Sequence, residues 1–227
     1  MKKNIFNLSA VALIAMASVF TGCNKDDIAA PVVTLNGAAS QTISLQGTYT
    51  ELGATATDEE DGAVTPVVSG TVNEDLAGTY TITYTATDAA GNAGTATRTV
   101  IVQNDAFALA GSYAVSEDCG GVMYTFTQNV TISSTVNNRI EFNKFANYSG
   151  NTAIYAIVTG TTMNLPSQTA ISIGSGSGTC DVANHTFAST AGNITSNGFV
   201  LTFTDQLVGP GSCTGAAASC TDTYTKQ

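Results

Sequence analysis

The sequence predicts an all-β protein, and three observations predict it. Thr, Ala, Gly, Ser and Val dominate, Leu and Lys are scarce, and Trp is absent. Thr and Val suit a pleated, half-buried surface, whereas Gly punctuates turns. Between Thr79 and Ala86 the residues Tyr80, Ile82, Tyr84 and Ala86 point one way and Thr79, Thr81, Thr83 and Thr85 the other. That period of two marks a strand with one buried face. Past the first 22 residues no stretch carries the apolar repeat of a helix.

The chain opens with Lys2-Lys3, an apolar run from Ala10 to Phe20, and Thr21-Gly22-Cys23. A basic start, a short apolar middle and a small residue before the cut make residues 1–22 a secretory signal. The run falls short of the roughly 20 residues a membrane-spanning helix needs. Its end resembles the bacterial lipobox, with Phe20 where Leu is usual. The resemblance implies that Cys23 takes a diacylglyceryl thioether, gains palmitate-type acyl chains and becomes the mature N-terminus. One chain anchors only marginally at about 0.8 kcal/mol per buried methylene, whereas two or three hold essentially permanently.

Residues 23–30 then form a lipidated tether reaching at most about 25 Å when extended. Its Lys25-Asp26-Asp27 resembles the acidic surface-export signal of Bacteroidetes-type lipoproteins; taken alone, it is a solvated linker, and both readings stand. Charge narrows the partners. The chain is formally −10, with 7 basic against 17 acidic side chains, and loses two further positive charges with Lys2 and Lys3. No basic stripe exists to neutralise phosphates, which argues against nucleic acid and against a polybasic grip on anionic lipid.

Residues 31–102 form the first folded unit. Pro31 to Leu35 opens it as a strand, Gly78 to Thr87 is the alternating strand above, Asp88 to Asn92 turns, and Thr95 to Val102 returns. Short strands at this spacing fit a β-sandwich. The run Gly78 to Asn92 followed by Arg98-Thr99-Val100-Ile101-Val102, with Leu52 to Asp58 and Asp61-Gly62 earlier, resembles the bacterial Ig-like domain of the pesticidal-crystal-protein type, a relative of hyalin repeats. The resemblance implies an Ig-like β-sandwich used as a spacer or adhesion module, without catalysis.

Residues 103–110 link to a second unit, 111–227. Tyr124, Phe126, Gln128, Val130 and Ile132 alternate with Thr125, Thr127, Asn129 and Thr131. Ile140-Phe142, Ala153–Val158, Met163–Pro166, Ile171–Ile173, Thr186-Phe187, Phe199–Phe203 and Thr223-Tyr224 continue a meander of about eight strands, with Gly174 to Gly178 a flexible turn. Hairpin-linked strands in this number predict a small antiparallel barrel or curled sandwich. Asn138 to Phe145, Tyr148 and Leu165-Pro166-Ser167-Gln168 resemble the lipocalin-like β-domains of small Bacteroidetes lipoproteins.

With Cys23 set aside, Cys119, Cys180, Cys213 and Cys220 remain, an even set suited to an oxidising compartment. Of three possible connectivities, the expected one is Cys213–Cys220 with Cys119–Cys180. A four-cysteine zinc site is the rival, but no C-x-x-C pair supports it. The role expected is stability, about 2–4 kcal/mol per bridge.

Asp58-Glu59-Glu60-Asp61-Gly62 is the one dense acidic cluster. Calcium takes several oxygen ligands from loops, and Asp58, Glu60 and Asp61 with Asp88 from a second turn could supply them; the alternative is a solvated acidic turn. His185 is the sole histidine, and nothing local completes a nucleophile–base–carboxylate arrangement around it. The acids of the second unit, Glu117, Asp118, Glu141, Asp181, Asp205 and Asp222, fall mostly at turns in this reading, which disfavours a paired-carboxylate hydrolase. Tyr148, Tyr155 and Phe145 are the aromatics that could form a glycan platform. Four N-x-S/T sequons, at Asn129, Asn147, Asn184 and Asn193, are chance matches in a bacterial lipoprotein.

The expectation is therefore a non-enzymatic, lipid-anchored outer-membrane protein, surface-facing in a structural, adhesion or display role and needing no cofactor, unless calcium binds. The alternative is a binding protein whose terminal domain captures a small apolar ligand or a glycan; a third reading is a periplasm-facing accessory of an envelope complex. The partner is left open, whether an envelope protein or a glycan.

Overall fold

The computed structural model describes residues 26–143, 145–146, 153–173, 182–208 and 217–227. The fold class is all-β, as the sequence predicts: sixteen strands and one short 3₁₀ turn are described. No helix among the described residues is long and apolar enough to cross a membrane.

The first seven strands are β1 (Val32–Leu35), β2 (Ser40–Ser44), β3 (Ala54–Asp58), β4 (Gly62–Val64), β5 (Val67–Ser69), β6 (Gly78–Thr87) and β7 (Ala93–Gln103). They make two sheets, β1-β3-β4 and β2-β7-β6-β5, with β2 parallel to β7 and the other pairs antiparallel. The alternation read in β6 holds: Ile82, Tyr84 and Ala86 are buried, and the intervening threonines are not. Ile82, Tyr84 and Val100 form the core, against which Val33, Leu35, Ile43, Ala54 and Val72 pack.

Arg98 sits on the same inward face of β7 as Val100 and is fully buried. Its guanidinium donates to the carbonyls of Asn36, Ala38 and Gly53 and to Glu51 Oε1 at 3.1 Å. Tyr84 and Tyr49 donate their hydroxyls to the same Glu51 carboxylate. Burial alone would raise the Glu51 pKa, but these hydrogen bonds, the Gly53 N–H and the Arg98 charge hold it below the usual range. A buried cation with each guanidinium nitrogen hydrogen-bonded is thus the pin between the two sheets.

The remaining strands are β8 (Gly111–Cys119), β9 (Val122–Ile132), β10 (Arg139–Phe142), β11 (Ile154–Thr159), β12 (Thr162–Asn164), β13 (Gln168–Ile173), β14 (Val182–Thr195), β15 (Gly198–Val208) and β16 (Ala218–Lys226). They run in the order β12-β11-β10-β9-β8-β16-β15-β14-β13, and a further pairing of β12 with β14 closes eight of them into an antiparallel barrel. Closure removes the unpaired edges that an open sheet would leave.

Two residues make that closure possible. A Cβ at Gly192 would stand 2.4 Å from the Met163 carbonyl, so only glycine lets β12 approach β14. Gln168 acts as a substitute peptide unit: its Oε1 accepts from Tyr155 N–H at 3.0 Å, and its Nε2 donates to the Tyr155 and Pro166 carbonyls. Side-chain amide therefore bridges β11 to β13 where backbone pairing is not made.

Among the described residues, an aromatic cluster packs inside the barrel. Tyr113, Phe142, Phe145, Phe187, Phe199, Phe203 and Tyr224 pack within one cluster, most of their ring pairs tilted or edge-on. The 3₁₀ turn Phe107–Leu109 lies before β8; its Leu109 packs on the cluster and its carbonyl accepts the Tyr113 hydroxyl. Residues 103–110, expected as a linker, include the fully buried Asn104. Its Nδ2 donates to the carbonyls of Ser133 and Val136, and its Oδ1 accepts from the N–H groups of Ala106 and Asn138. The link between the units is a hydrogen-bonded fastening.

Candidate functional site

Two constellations carry chemistry, one at an end of the sandwich and one inside the barrel. At the sandwich end, Asp58 closes β3 and Asp88 follows β6, so two strands of different sheets bring their terminal carboxylates together. Asp58 Oδ1 accepts from the N–H groups of Glu60 and Asp61, an Asx-type turn. Asp88 accepts from Asn92 N–H at 2.7 Å and from Asn92 Nδ2 at 2.9 Å. Burial opposes ionisation of Asp88, yet these Asn92 bonds and nearby backbone N–H groups hold its pKa below the ordinary value.

Asn92 Nδ2 also donates to the Asp27 carbonyl, 65 residues earlier, and so holds the segment that enters β1. The result is that Asp27, Asp58 and Asp88 each offer one carboxylate oxygen, all within 4.8 Å of one another. None of the three forms an ion pair among the described residues. Asp58 Oδ2 is buried without a hydrogen-bond partner. A cavity of about 270 Å³, lined by Asp26, Asp27, Ile28, Ala29, Glu59 and Glu60, adjoins this end.

Of the four residues expected from sequence to bind calcium, the structure thus brings Asp58 and Asp88 together. Glu60 lines the neighbouring cavity, and Asp61 Oδ2 accepts Ala89 N–H, tying the two turns. Asp27 was missed because sequence spacing gives no sign that a tether residue folds back onto turns 31 and 61 positions away.

Inside the barrel, Glu117 on β8 stands directly opposite Asp222 on β16, and both are buried. Asp222 Oδ2 accepts the Tyr224 hydroxyl at 3.0 Å, while Asp222 Oδ1 and Glu117 Oε2 face no N–H or hydroxyl donor, and the two carboxyls are close enough to hydrogen-bond each other when one carries a proton. Burial, then the charge of Glu117, pushes the Asp222 pKa up to about 8, and burial with the Asp205 charge raises Glu117. The sequence placed these acids at turns; the structure corrects this, because Glu117, Asp205 and Asp222 lie within strands and follow their inward alternation. Glu141, in β10, pairs with Arg139 at 3.1 Å, and Asp118 accepts Gly121 N–H at the hairpin tip.

His185 Nδ1 lies 2.7 Å from Asp205 Oδ1. The carboxylate that local sequence did not supply comes from the neighbouring strand β15, 20 residues on, and the ring stacks on Phe187.

The disulfide reading is overturned. Cys119 bonds Cys220, which excludes both expected bridges. The two cysteines are register partners on β8 and β16, with Cα atoms 4.2 Å apart, the close spacing of a non-hydrogen-bonded antiparallel pair. Their sulfurs, though near Glu117, are consumed in the bridge and offer no thiolate to a metal. Cys180, Cys213, Asp181, Tyr148 and Cys23 lie outside the described residues. Of the other aromatics proposed as a platform, Phe145 is buried between Phe142, Phe187 and Phe203, and Arg139 covers the Tyr155 ring at 4.1 Å. Phe145 therefore presents no face for a sugar, and one face of Tyr155 is taken by Arg139.

Comparison with known proteins gives two findings. Residues 33–102 match the family described as bacterial surface protein, Ig-like domain. Among solved structures, the chain is similar to the lipoprotein BT2262 from Bacteroides thetaiotaomicron at 15% identity and a TM-score of 0.33, covering 86% of this chain and 100% of that one. No curated protein matches.

Proposed function

We propose that the chain is a lipid-anchored cell-envelope protein with a non-catalytic display or structural role, its sandwich acting as a spacer and its barrel as the head. The observation that carries this reading is the match of residues 33–102 to a bacterial surface Ig-like domain, behind a signal and cysteine arranged like a lipobox. The packed aromatic interior supports a structural head over a carrier of apolar ligands, because such a carrier needs a cavity of a few hundred Å³. The Asn104 fastening suits a spacer that holds its head at a fixed angle. Outer-membrane placement and outward orientation belong to the same proposal, with the acidic start of the tether as their support. A polar-ligand variant of the binding reading draws on the unpartnered oxygens of Glu117, Asp222 and Gln128 in the barrel.

Metabolic labelling of native cells with an alkyne fatty acid tests the anchor. Label on the wild-type chain and none on Cys23→Ala is expected. An unlabelled chain in the soluble fraction would refute the reading.

A further inference from the structure

We propose that Asp27, Asp58 and Asp88 bind one calcium ion, which fastens the tether to the end of the sandwich. The strongest indication is a buried oxygen with nothing to bond. Asp58 is only 5% exposed, its Oδ1 is committed to the Glu60 and Asp61 N–H groups, and its Oδ2 is left unpartnered. Leaving a buried carboxylate oxygen bare is costly, and a cation removes that cost.

The second indication is charge. Three carboxylate oxygens lie within 4.8 Å of one another, Asp88 is 8% exposed, and no basic side chain neutralises them among the described residues. Geometry keeps the three groups convergent without help from the ion. Asn92 holds Asp88 through two bonds and Asp27 through its carbonyl, the Asx turn fixes Asp58, and Asp61 ties the two turns through Ala89.

The donor set selects the metal. All three side chains are hard oxygen donors with no imidazole or thiolate, which excludes the preferences of zinc and copper. The donors come from a strand end, a turn and the segment entering β1, which suits the flexible six- to eight-fold coordination of calcium better than the rigid octahedron of magnesium. The adjoining cavity, with Asp26, Glu59 and Glu60 on its walls, has room for the waters that would complete the shell. The consequence is mechanical. With the ion in place, Asp27 gains a second hold on the sandwich end beside the Asn92 bond to its carbonyl.

The site stands on its own geometry, so its test on purified protein is independent of where the chain sits in the cell. The mature lipoprotein, extracted in detergent and stripped with chelator, is titrated with CaCl₂ by calorimetry and probed by hydrogen exchange over residues 26–30. One site is expected, with a dissociation constant of about 0.1–1 mM, the range of extracellular calcium modules, and exchange over 26–30 slows when calcium is added. Asp27→Asn, Asp58→Asn and Asp88→Asn each weaken binding at least tenfold, and Asp27→Asn abolishes the slowed exchange. Asp75→Asn, an exposed acid elsewhere on the sandwich, leaves the affinity unchanged. Asparagine at 58 keeps an Oδ1 for the turn, and circular dichroism confirms folding of each variant. Absence of binding by the wild type at 10 mM calcium overturns the site. Unchanged affinity in Asp58→Asn, or calcium-slowed exchange surviving in Asp27→Asn, overturns the ligand set.

Discussion

Replacing Asp222 with asparagine should reduce the loss of stability with rising pH that the wild-type barrel is expected to show. Asp222 is fully buried opposite Glu117, with Tyr224 on its own strand as its hydrogen-bond donor, Asp205 on β15 acting on Glu117, and His185 on β14 paired to Asp205. Its pKa, pushed up to about 8 by burial and by Glu117, stands above the ordinary value of 3.8. Between those two values the folded chain holds a proton that the unfolded chain releases. Stability from this group is therefore fully present below about pH 4 and is lost as pH rises through about 8. The slope is about 1.4 kcal/mol per pH unit, so about 4 kcal/mol disappears between pH 5 and pH 8. Urea unfolding followed by circular dichroism at half-unit pH steps, with the disulfide intact, measures it. Asp222→Asn should lose a large part of the slope, and the double variant Glu117→Gln/Asp222→Asn nearly all of what the pair contributes. His185 and Asp205 are kept in wild type and variants alike, so the difference isolates Glu117 and Asp222. A wild-type stability that is flat or rising over pH 5–8, or a slope unchanged in the double variant, would refute the reasoning.

Arg98→Leu should destabilise the sandwich by about 3–5 kcal/mol, because Glu51 and three carbonyls lose their buried donor; thermal melting of the variant reads this directly. Asn104→Ala should cost about 2 kcal/mol or more by taking the buried side-chain amide from the Ser133 and Val136 carbonyls and the Ala106 N–H, measured by urea titration. Non-reducing peptide mapping should recover Cys119 linked to Cys220. A Cys119→Ser/Cys220→Ser variant should lose up to about 4–5 kcal/mol, since the bridge spans 101 residues and closes a long loop.

Strand identity was legible wherever one face is buried. The alternation of Tyr80 to Ala86 and of Tyr124 to Ile132 reads directly from sequence, because side chains along a strand repeat every two residues. Register across the barrel was not legible. Which cysteine meets Cys119 depends on how β16, about a hundred residues later, aligns with β8, whereas local spacing paired Cys220 with the nearby Cys213 and left Cys119 to Cys180. The same blindness placed Glu117 and Asp222 at turns, since a buried acid interrupts the apolar pattern and resembles a strand end. Closure through Gln168 was hidden for a different reason: a side chain there does the work of a backbone. At the sandwich end, the turns holding Asp58 and Asp88 were readable from Asp, Gly and Asn signals, whereas Asp27 joins them only through tertiary contact.

Labelling with an antibody against residues 111–227, compared between intact and permeabilised native cells, tests the display account most directly. The account predicts equal labelling in both, with the signal on intact cells lost in Cys23→Ala. Labelling that appears only after permeabilisation would contradict it.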